Sequence, residues 1–306
     1  MNIKEFYKQD VHKQIQKACK WGLRLQFLAN DLRTFANAVG SNNFDTLSQY
    51  NWFNHHFGPG FAAGPNYKTA TNTGNYNHFG FCIREAQSDV LNLTQKTGNC
   101  GADLITGFAL MKMQMLGQGG LTTANFHTKE NGFHVEHNLQ VKHLDLMLRQ
   151  QIMNTNKLDP ITLLRFVIDH SLVVTVHNSE RKDGGSNTNN NISPFWRYAN
   201  VGANVFQVTD EGFEDVTNCT IQTINSNRWN RNSYFKKFRQ EFDAISRNCL
   251  EKYRTEIYNS MYEKEPHSNA TPKLTDENLK ILINNDATEI ATRFYPDKFK
   301  DRWKKA

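Results

Sequence analysis

The sequence predicts an α+β protein in which N-terminal helices pack on an antiparallel sheet and a C-terminal helical region follows. Three observations favour this class. Apolar residues recur at helical spacing before residue 40, they alternate with polar residues from Leu121 onward, and helical spacing returns from Asn232. We therefore expect two domains, one over residues 1–228 and a helical one over residues 229–306.

The N-terminal third combines helices with one long irregular segment. Two helices are predicted between Ile3 and Ala38, with a bend near Gly22 and an end at Gly40. The segment 41–79 is rich in Asn, Gly and aromatics and shows neither period, so we predict a long loop of the kind that often lines a binding cleft. A helix over 82–93 and another that begins at residue 100 follow, each with an apolar face.

Alternating segments then predict the strands of one antiparallel sheet. They are LTTANFHT, GFHVEHNLQV, LLRFVIDH, LVVTVHN, NVFQVTD and VTNCTIQ. Helices are predicted after the sheet, over 232–263 and 276–294, on either side of a linker that contains Pro266 and Pro272.

Composition excludes several classes of protein. With 306 residues, 38% of them hydrophobic, the chain can bury a sizeable core and is not disordered. The formal charge is +6, and most of this excess lies from Arg228 to Ala306, where 17 Lys and Arg face 12 Asp and Glu. Solvated helices commonly have this bias, and no nucleic-acid motif accompanies it. We expect neither a nucleic-acid partner nor membrane contact.

The N-terminus and the cysteines suggest a soluble protein of a reducing compartment. The start, MNIKEFYKQDVHKQ, lacks the apolar core of a signal peptide, and no run of about 18 apolar residues could span a bilayer. The five cysteines are widely separated and include no CxxC pair, so neither a disulfide framework nor a zinc knuckle is predicted. We expect no metal and no cofactor. Export by a specialised secretion apparatus remains compatible with this N-terminus.

Cys100 differs from the other four cysteines, which we interpret as small buried hydrophobic residues: Cys19, Cys82, Cys219 and Cys249. It follows a Gly98-Asn99 turn and opens an apolar helix. A helix N-terminus favours the thiolate, and Gly101 leaves space for a substrate carbonyl beside backbone N–H groups that could form an oxyanion hole. Cys100 is therefore the candidate nucleophile.

The candidate base comes from the segment GFHVEHNLQV, which contains His134 and His137. Residues three apart on a strand face opposite sides of the sheet, so one of the two can reach the thiol. The same opposition makes the pair a poor set of metal ligands.

A third group should orient the imidazole, and Asp169 at the end of LLRFVID is our first choice. A carboxylate at a strand end would emerge at the edge of the sheet. Asp159, which precedes Pro160, is the alternative. His170 should point away from Asp169 and be structural or exposed.

The order Cys100, His137, Asp169 resembles that of transglutaminase-like, papain-related thiol enzymes. Gly98-Asn99-Cys100-Gly101 is similar to the cysteine turn of that family, and Val167-Ile168-Asp169 to its strand-terminal aspartate. The continuation of the His137 strand through Asn138 to Val141 is similar to the family's catalytic strand, and this favours His137 over His134.

The resemblance covers about the first 230 residues and implies a papain-like, transglutaminase-like catalytic core over 1–228. Some relatives are bacterial effectors delivered into host cells through a specialised secretion system. It therefore implies secretion into the host cytoplasm, a host protein substrate, possible cytoskeletal targets such as actin, and a dedicated inhibitory protein as a further partner.

The activity that this implies is acyl transfer from a protein glutamine to a lysine amine or to water. A cysteine protease would use the same residues, and nothing in the sequence separates the two. A third alternative is a non-enzymatic module that binds a host protein through aromatic anchors of the segment 41–79. These anchors would be Trp52, Phe53, Phe57, Phe61 and Tyr67.

Overall fold

The computed structural model describes residues 11–57, 79–80, 82–83, 86, 121–123, 133–137, 141–155, 158–177, 194–195, 198, 202–262 and 272–294. Its helices are α1 (Val11–Val39), α2 (Phe44–Leu47), α3 (Asn51–Phe57), α4 (Val141–Asn154), α5 (Pro160–His170), α6 (Ile221–Arg231), α7 (Ser233–Tyr262), α8 (Asp276–Asn284) and α9 (Ala287–Phe294). Its strands are β1 (Leu121–Thr123), β2 (Phe133–His137), β3 (Val173–His177), β4 (Val205–Thr209) and β5 (Gly212–Asp215).

The predicted fold class is wrong. Helix predominates in the described part of the chain, and the sheet there consists of five strands of three to five residues in the order β2-β3-β1-β4-β5. β1 pairs in parallel with β3, so the sheet is mixed rather than antiparallel. Such a small sheet does not resemble that of a papain-like core.

The segment LLRFVIDH was predicted as a strand but forms most of α5. Its buried residues are Leu163, Leu164, Val167 and Ile168, two pairs four residues apart, which is the spacing of one helix face. The helix also has a strong start signal. Pro160 occupies its first position, and the Asp159 carboxylate accepts a hydrogen bond from the Thr162 backbone N–H at 2.9 Å.

Two other strand predictions are wrong, one at its end and one throughout. GFHVEHNLQV was expected to continue to Val141, but β2 ends at His137 and Val141 begins α4. VTNCTIQ is not a strand, because the Thr220 side chain accepts from the Thr223 N–H and caps α6, which begins at Ile221. The strands β1, β3 and β4 lie within segments predicted as strands.

The long helices confirm the helical predictions with two differences. α1 is continuous through Gly22, and it ends as expected at Gly40, whose φ of 75° suits glycine. A Cβ on Gly22 would lie 2.8 Å from the carbonyl oxygen of Pro160, so glycine there permits close approach of α5 rather than a bend. The last predicted helix is divided into α8 and α9 by Asn285, at φ 60°.

The chain divides into two compact units, and neither is a continuous stretch of sequence. The sheet unit comprises Met1–Ala18, Ala86–Leu144 and Arg165–Arg247, and the helical unit comprises Cys19–Glu85, Asp145–Leu164 and Asn248–Ala306. The predicted domain boundary at residue 228 stays a prediction.

The sheet unit has an apolar core in which strands, the segment before β4 and helix α6 contribute side chains. The buried cluster comprises Leu172, Val174, Phe195, Tyr198, Ala203, Val205, Val216 and Ile224. The fully buried Gln207 of β4 donates its amide to the Ile224 carbonyl at 2.9 Å. This bond joins the sheet to α6 where water cannot reach the amide.

In the helical unit, α2 and α3 occupy part of the segment predicted as a loop. Trp52, Phe53 and Phe57 of α3 are at most 1% exposed, and the Phe35 ring of α1 lies 4.6 Å from that of Trp52. Aromatic residues that looked like candidate surface anchors therefore form a core. Phe61 and Tyr67 lie outside the described residues.

A buried ion pair joins α4 to this core. Arg149 Nε lies 2.9 Å from the Asp145 carboxylate, and both side chains are at most 3% exposed. The guanidinium also donates to the carbonyl oxygen of Phe57, at the end of α3. Pairing and backbone contact together compensate for removing both charges from water.

Asp31 of α1 is the second buried acid of the helical unit. Its carboxylate accepts a hydrogen bond from the Tyr262 hydroxyl of α7 at 2.7 Å. Burial raises the pKa of Asp31 to about 8, because the charged form loses its hydration, and the Tyr262 hydrogen bond only partly opposes this shift. At neutral pH the folded protein therefore mostly holds a neutral carboxyl.

None of the helices in the described residues is both long enough and apolar enough to cross a membrane.

We expect stability to fall as pH rises between about 4 and about 8. Over this window the unfolded chain has released the Asp31 proton while the folded chain keeps it, since its pKa rises from 3.8 to about 8. The loss should approach about 1.4 kcal/mol per pH unit at most. Urea unfolding of Asp31→Asn, which mimics the neutral carboxyl, should be less pH-dependent than that of the wild type.

The exposed Asp243 provides the matched control. In Asp243→Asn, the difference in the free energy of unfolding between pH 5 and pH 7.5 should be the same as in the wild type. Equal pH dependence in Asp31→Asn and the wild type would contradict a neutral buried acid.

Candidate functional site

Asp169 lies at the end of α5, and helix α6 holds it in place. Its Oδ1 accepts a hydrogen bond from Trp229 Nε1 at 2.7 Å. Its backbone carbonyl accepts one from the Asn225 side-chain amide at 2.8 Å. The carboxylate is half-buried, so it is both oriented by the indole and partly accessible.

Arg228 lies beside this carboxylate and is fully buried. Its guanidinium donates to the carbonyl oxygens of Ile168, at 2.8 Å, and Ser171, at 3.3 Å. These bonds add side-chain donors at the C-terminus of α5, where the last helical carbonyls lack the full set of intrahelical partners; the Ile168 carbonyl also accepts from the Ser171 N–H at 3.2 Å. Burial lowers the pKa of Arg228 to about 10, against the opposing attraction of Asp169, so the group stays charged at neutral pH.

Aromatic and cationic neighbours fix the Trp229 ring. Phe235 of α7 meets it edge-on, with ring centroids 5.4 Å apart. The Phe238 ring lies 6.4 Å away, and the Arg165 guanidinium lies 5.8 Å above the indole. Because the ring is held from several sides, the N–H that reaches Asp169 has a defined direction.

His137 is the last residue of β2, and the sheet register pairs it with the start of β3, the strand that follows α5 in the chain. The Cα of His137 pairs with Val173, the first residue of β3, which follows Asp169 by four residues. His134 pairs with Val176, farther along β3. Of the two histidines, His137 thus pairs with the residue of β3 that is closer in the chain to Asp169.

The other predicted site residues have different positions. Cys100 lies outside the described residues, so of the predicted triad the structure gives the side chain of Asp169 and the strand position of His137. Asp159, the alternative third group, caps α5 through Thr162. His170 is half-buried, with its ring stacked on Phe166 at 4.1 Å and Nδ1 2.9 Å from the Phe166 carbonyl oxygen.

The described residues include no cluster of three or more His, Cys, Asp or Glu side chains that could hold a metal ion. The chemistry that the site supports is that of a carboxylate held by an indole N–H beside a buried guanidinium. Such a carboxylate can accept a hydrogen bond from an imidazole and stabilise its charged form.

Sequence reasoning missed the three residues of α6 that build this site: Asn225, Arg228 and Trp229. They recur at i, i+3 and i+4, the spacing of a helix face. The available signal was Thr220, an N-cap residue that begins a helix where a strand was predicted.

No protein-family model, no curated protein and no solved structure matches this chain significantly.

Replacement of Arg228 by Met should lower the free energy of unfolding by about 3 kcal/mol, because the Ile168 and Ser171 carbonyls would lose buried donors. Arg231, one turn along α6, is the matched control. It forms ion pairs with Glu211 and Glu214, and its side chain is 38% exposed.

Because exposed ion pairs contribute little, Arg231→Met should lower the free energy of unfolding much less than Arg228→Met does. Urea unfolding measures both variants. Equal losses would contradict the structural role of the buried guanidinium.

Proposed function

We propose that the protein is a cysteine acyltransferase in which Cys100 is the nucleophile, His137 its base and Asp169 the group that orients the imidazole. The observation that carries the proposal is the sheet register: His137 pairs with Val173, four residues after a carboxylate that Trp229 holds at 2.7 Å. The Gly98-Asn99-Cys100-Gly101 turn supplies the nucleophile of this proposal.

The reaction follows from these roles. His137 takes the thiol proton, and the Cys100 thiolate attacks the carboxamide carbon of a protein glutamine. The tetrahedral intermediate collapses to a thioester, and the protonated imidazole gives its proton to the leaving ammonia. A lysine amine then attacks the thioester to form an isopeptide bond, or water attacks it to leave glutamate, and the thiol is regenerated.

Asp169 would keep the imidazole in the productive tautomer and stabilise its charged form. The Trp229 hydrogen bond uses one carboxylate oxygen, Oδ1, and leaves the second oxygen for the ring N–H. The substrate class that we propose is a host protein, with delivery of this chain into the host cell, and both follow from the family resemblance alone.

Proteolysis by the same residues remains the second candidate reaction, since a thiolate that attacks a backbone amide forms a thioester in the same way. The binding-module interpretation has less support. Trp52, Phe53 and Phe57 are buried, so three of its five anchors are not available at the surface.

We expect iodoacetamide at mildly acidic pH to label Cys100 before the other four thiols, because a thiolate is the reactive form. Transfer of a biotinylated amine to a glutamine-containing protein should be lost in Cys100→Ala and kept in Cys219→Ala, which removes a half-buried thiol. Mass spectrometry identifies the reaction, since each linkage loses about 17 Da as ammonia.

Three outcomes would contradict the proposal in different ways. Equal labelling of all five cysteines would contradict an activated Cys100 thiol. Undiminished product in Cys100→Ala would contradict its role as the nucleophile. New peptide termini without loss of ammonia would show that the enzyme is a protease rather than an acyltransferase.

Asp169→Asn should lower the rate of acyl transfer by about 100-fold or more, because an amide can hold the wrong imidazole tautomer. Asp159→Asn should leave the rate nearly unchanged, since Asn also caps a helix. Single-turnover measurements on both variants, with circular dichroism as the control for folding, distinguish the two acids. A greater loss of rate in Asp159→Asn than in Asp169→Asn would assign the orienting role to Asp159.

A further inference from the structure

Cys19 and Cys249 lie far apart in the sequence and in contact in the helical unit. Cys19 is on α1 and is 1% exposed, and Cys249 is on α7 and is 8% exposed. Neither forms a disulfide bond in this structure, and the two thiols are close enough for Cys249 to act electrostatically on Cys19. The burial predicted for both cysteines is confirmed, and their contact was not foreseen.

Neighbouring contacts place the two helices side by side in the same direction. The Lys20 Nζ lies 4.3 Å from the Tyr253 ring centroid and 2.7 Å from Glu256 Oε1. One turn later, the Arg24 guanidinium donates to Ser260 Oγ at 3.3 Å.

Two further contacts continue this alignment. The Phe27 and Tyr258 rings lie 5.6 Å apart, and the Tyr262 hydroxyl donates to Asp31. From Lys20 to Asp31 on α1 the partners advance overall from Tyr253 to Tyr262 on α7, so the packing that places Cys19 beside Cys249 does not depend on the thiols themselves.

We propose that Cys19 and Cys249 are a redox-sensitive pair that hydrogen peroxide converts to a reversible disulfide between α1 and α7. One thiol loses its proton, the thiolate attacks a peroxide oxygen, the O–O bond breaks, and the leaving hydroxide takes up that proton as water, which leaves a sulfenic acid. The second thiol attacks that sulfur, the S–S bond forms, and a second water leaves. In total, two thiols and one peroxide give one disulfide and two waters.

The environment of the pair sets its rate of oxidation. Burial and the neighbouring Cys249 raise the pKa of Cys19 to about 12, so the closed helix pair holds a protonated, slowly reacting thiol. Oxidation proceeds when the helices open locally and ends with a covalent link between them. The pair therefore responds to sustained peroxide rather than to a brief pulse.

The full chain, treated with hydrogen peroxide and then alkylated, tests the proposal by digestion with trypsin without reduction. We expect a peptide in which Ala18–Lys20 is joined to Asn248–Lys252, lighter by two hydrogens than the two peptides together and lost after dithiothreitol. Oxidised protein should also unfold at a higher urea concentration than reduced protein, because the link restricts the unfolded chain.

Variants separate this pair from the other thiols and from the proposed active site. Cys249→Ala should abolish the joined peptide and the shift in urea midpoint. Cys82→Ala removes another buried thiol and should preserve both, as should Cys100→Ala, which lacks the proposed nucleophile.

The wild-type peptide map decides the question even if a variant fails to fold. Recovery of the Cys19 peptide in alkylated form, its linkage to Cys82, Cys100 or Cys219, or formation of the link only in urea would overturn the proposal.

Discussion

The geometry of the candidate site depends on one buried guanidinium. Arg228 donates to the carbonyls of Ile168 and Ser171 at the C-terminus of α5, and its neighbour on α6, Trp229, donates to the Asp169 carboxylate. A buried charge of this kind is costly to remove from water, so it is tolerated only with backbone acceptors and a nearby carboxylate. The end of α5 and the start of β3 are therefore set by the same interaction that orients the proposed catalytic acid.

The buried carboxyl groups of the helical unit are stabilised in two different ways. Asp145 stays paired with Arg149, whose guanidinium also reaches the end of α3. Asp31 has no cation among the contacts described for it, and its burial instead raises the pKa to about 8, with a tyrosine hydroxyl as hydrogen-bond donor. The first arrangement joins α4 to the end of α3, and the second makes the packing of α1 on α7 sensitive to pH.

Cysteine chemistry in this protein depends on surroundings rather than on residue type. Cys19 and Cys249 are enclosed by packed helices, and burial raises the pKa of the Cys19 thiol, which slows its reaction. The acyl transfer that we propose for Cys100 requires the opposite environment, with a helix N-terminus and an imidazolium that favour the thiolate. A peroxide response and an acyl transfer can therefore involve different thiols of one chain.

Local patterns in the sequence determined the helices α1 and α7, the strands β1, β3 and β4, and the burial of Cys19 and Cys249, because periodicity and burial are encoded over a few turns. The same alternation predicted a strand over GFHVEHNLQV, of which β2 comprises Phe133–His137, while Val141 belongs to α4. The helix-start residues Asp159 and Pro160 lie just before LLRFVIDH, but the apolar run of that segment is also typical of a strand. Only the tertiary structure decided the parallel pairing of β1 with β3, the contact of Cys19 with Cys249 and the placement of Arg228 and Trp229 around Asp169. These features join segments that are distant in sequence, and the packing and hydrogen bonding that select them cannot be read from either segment alone.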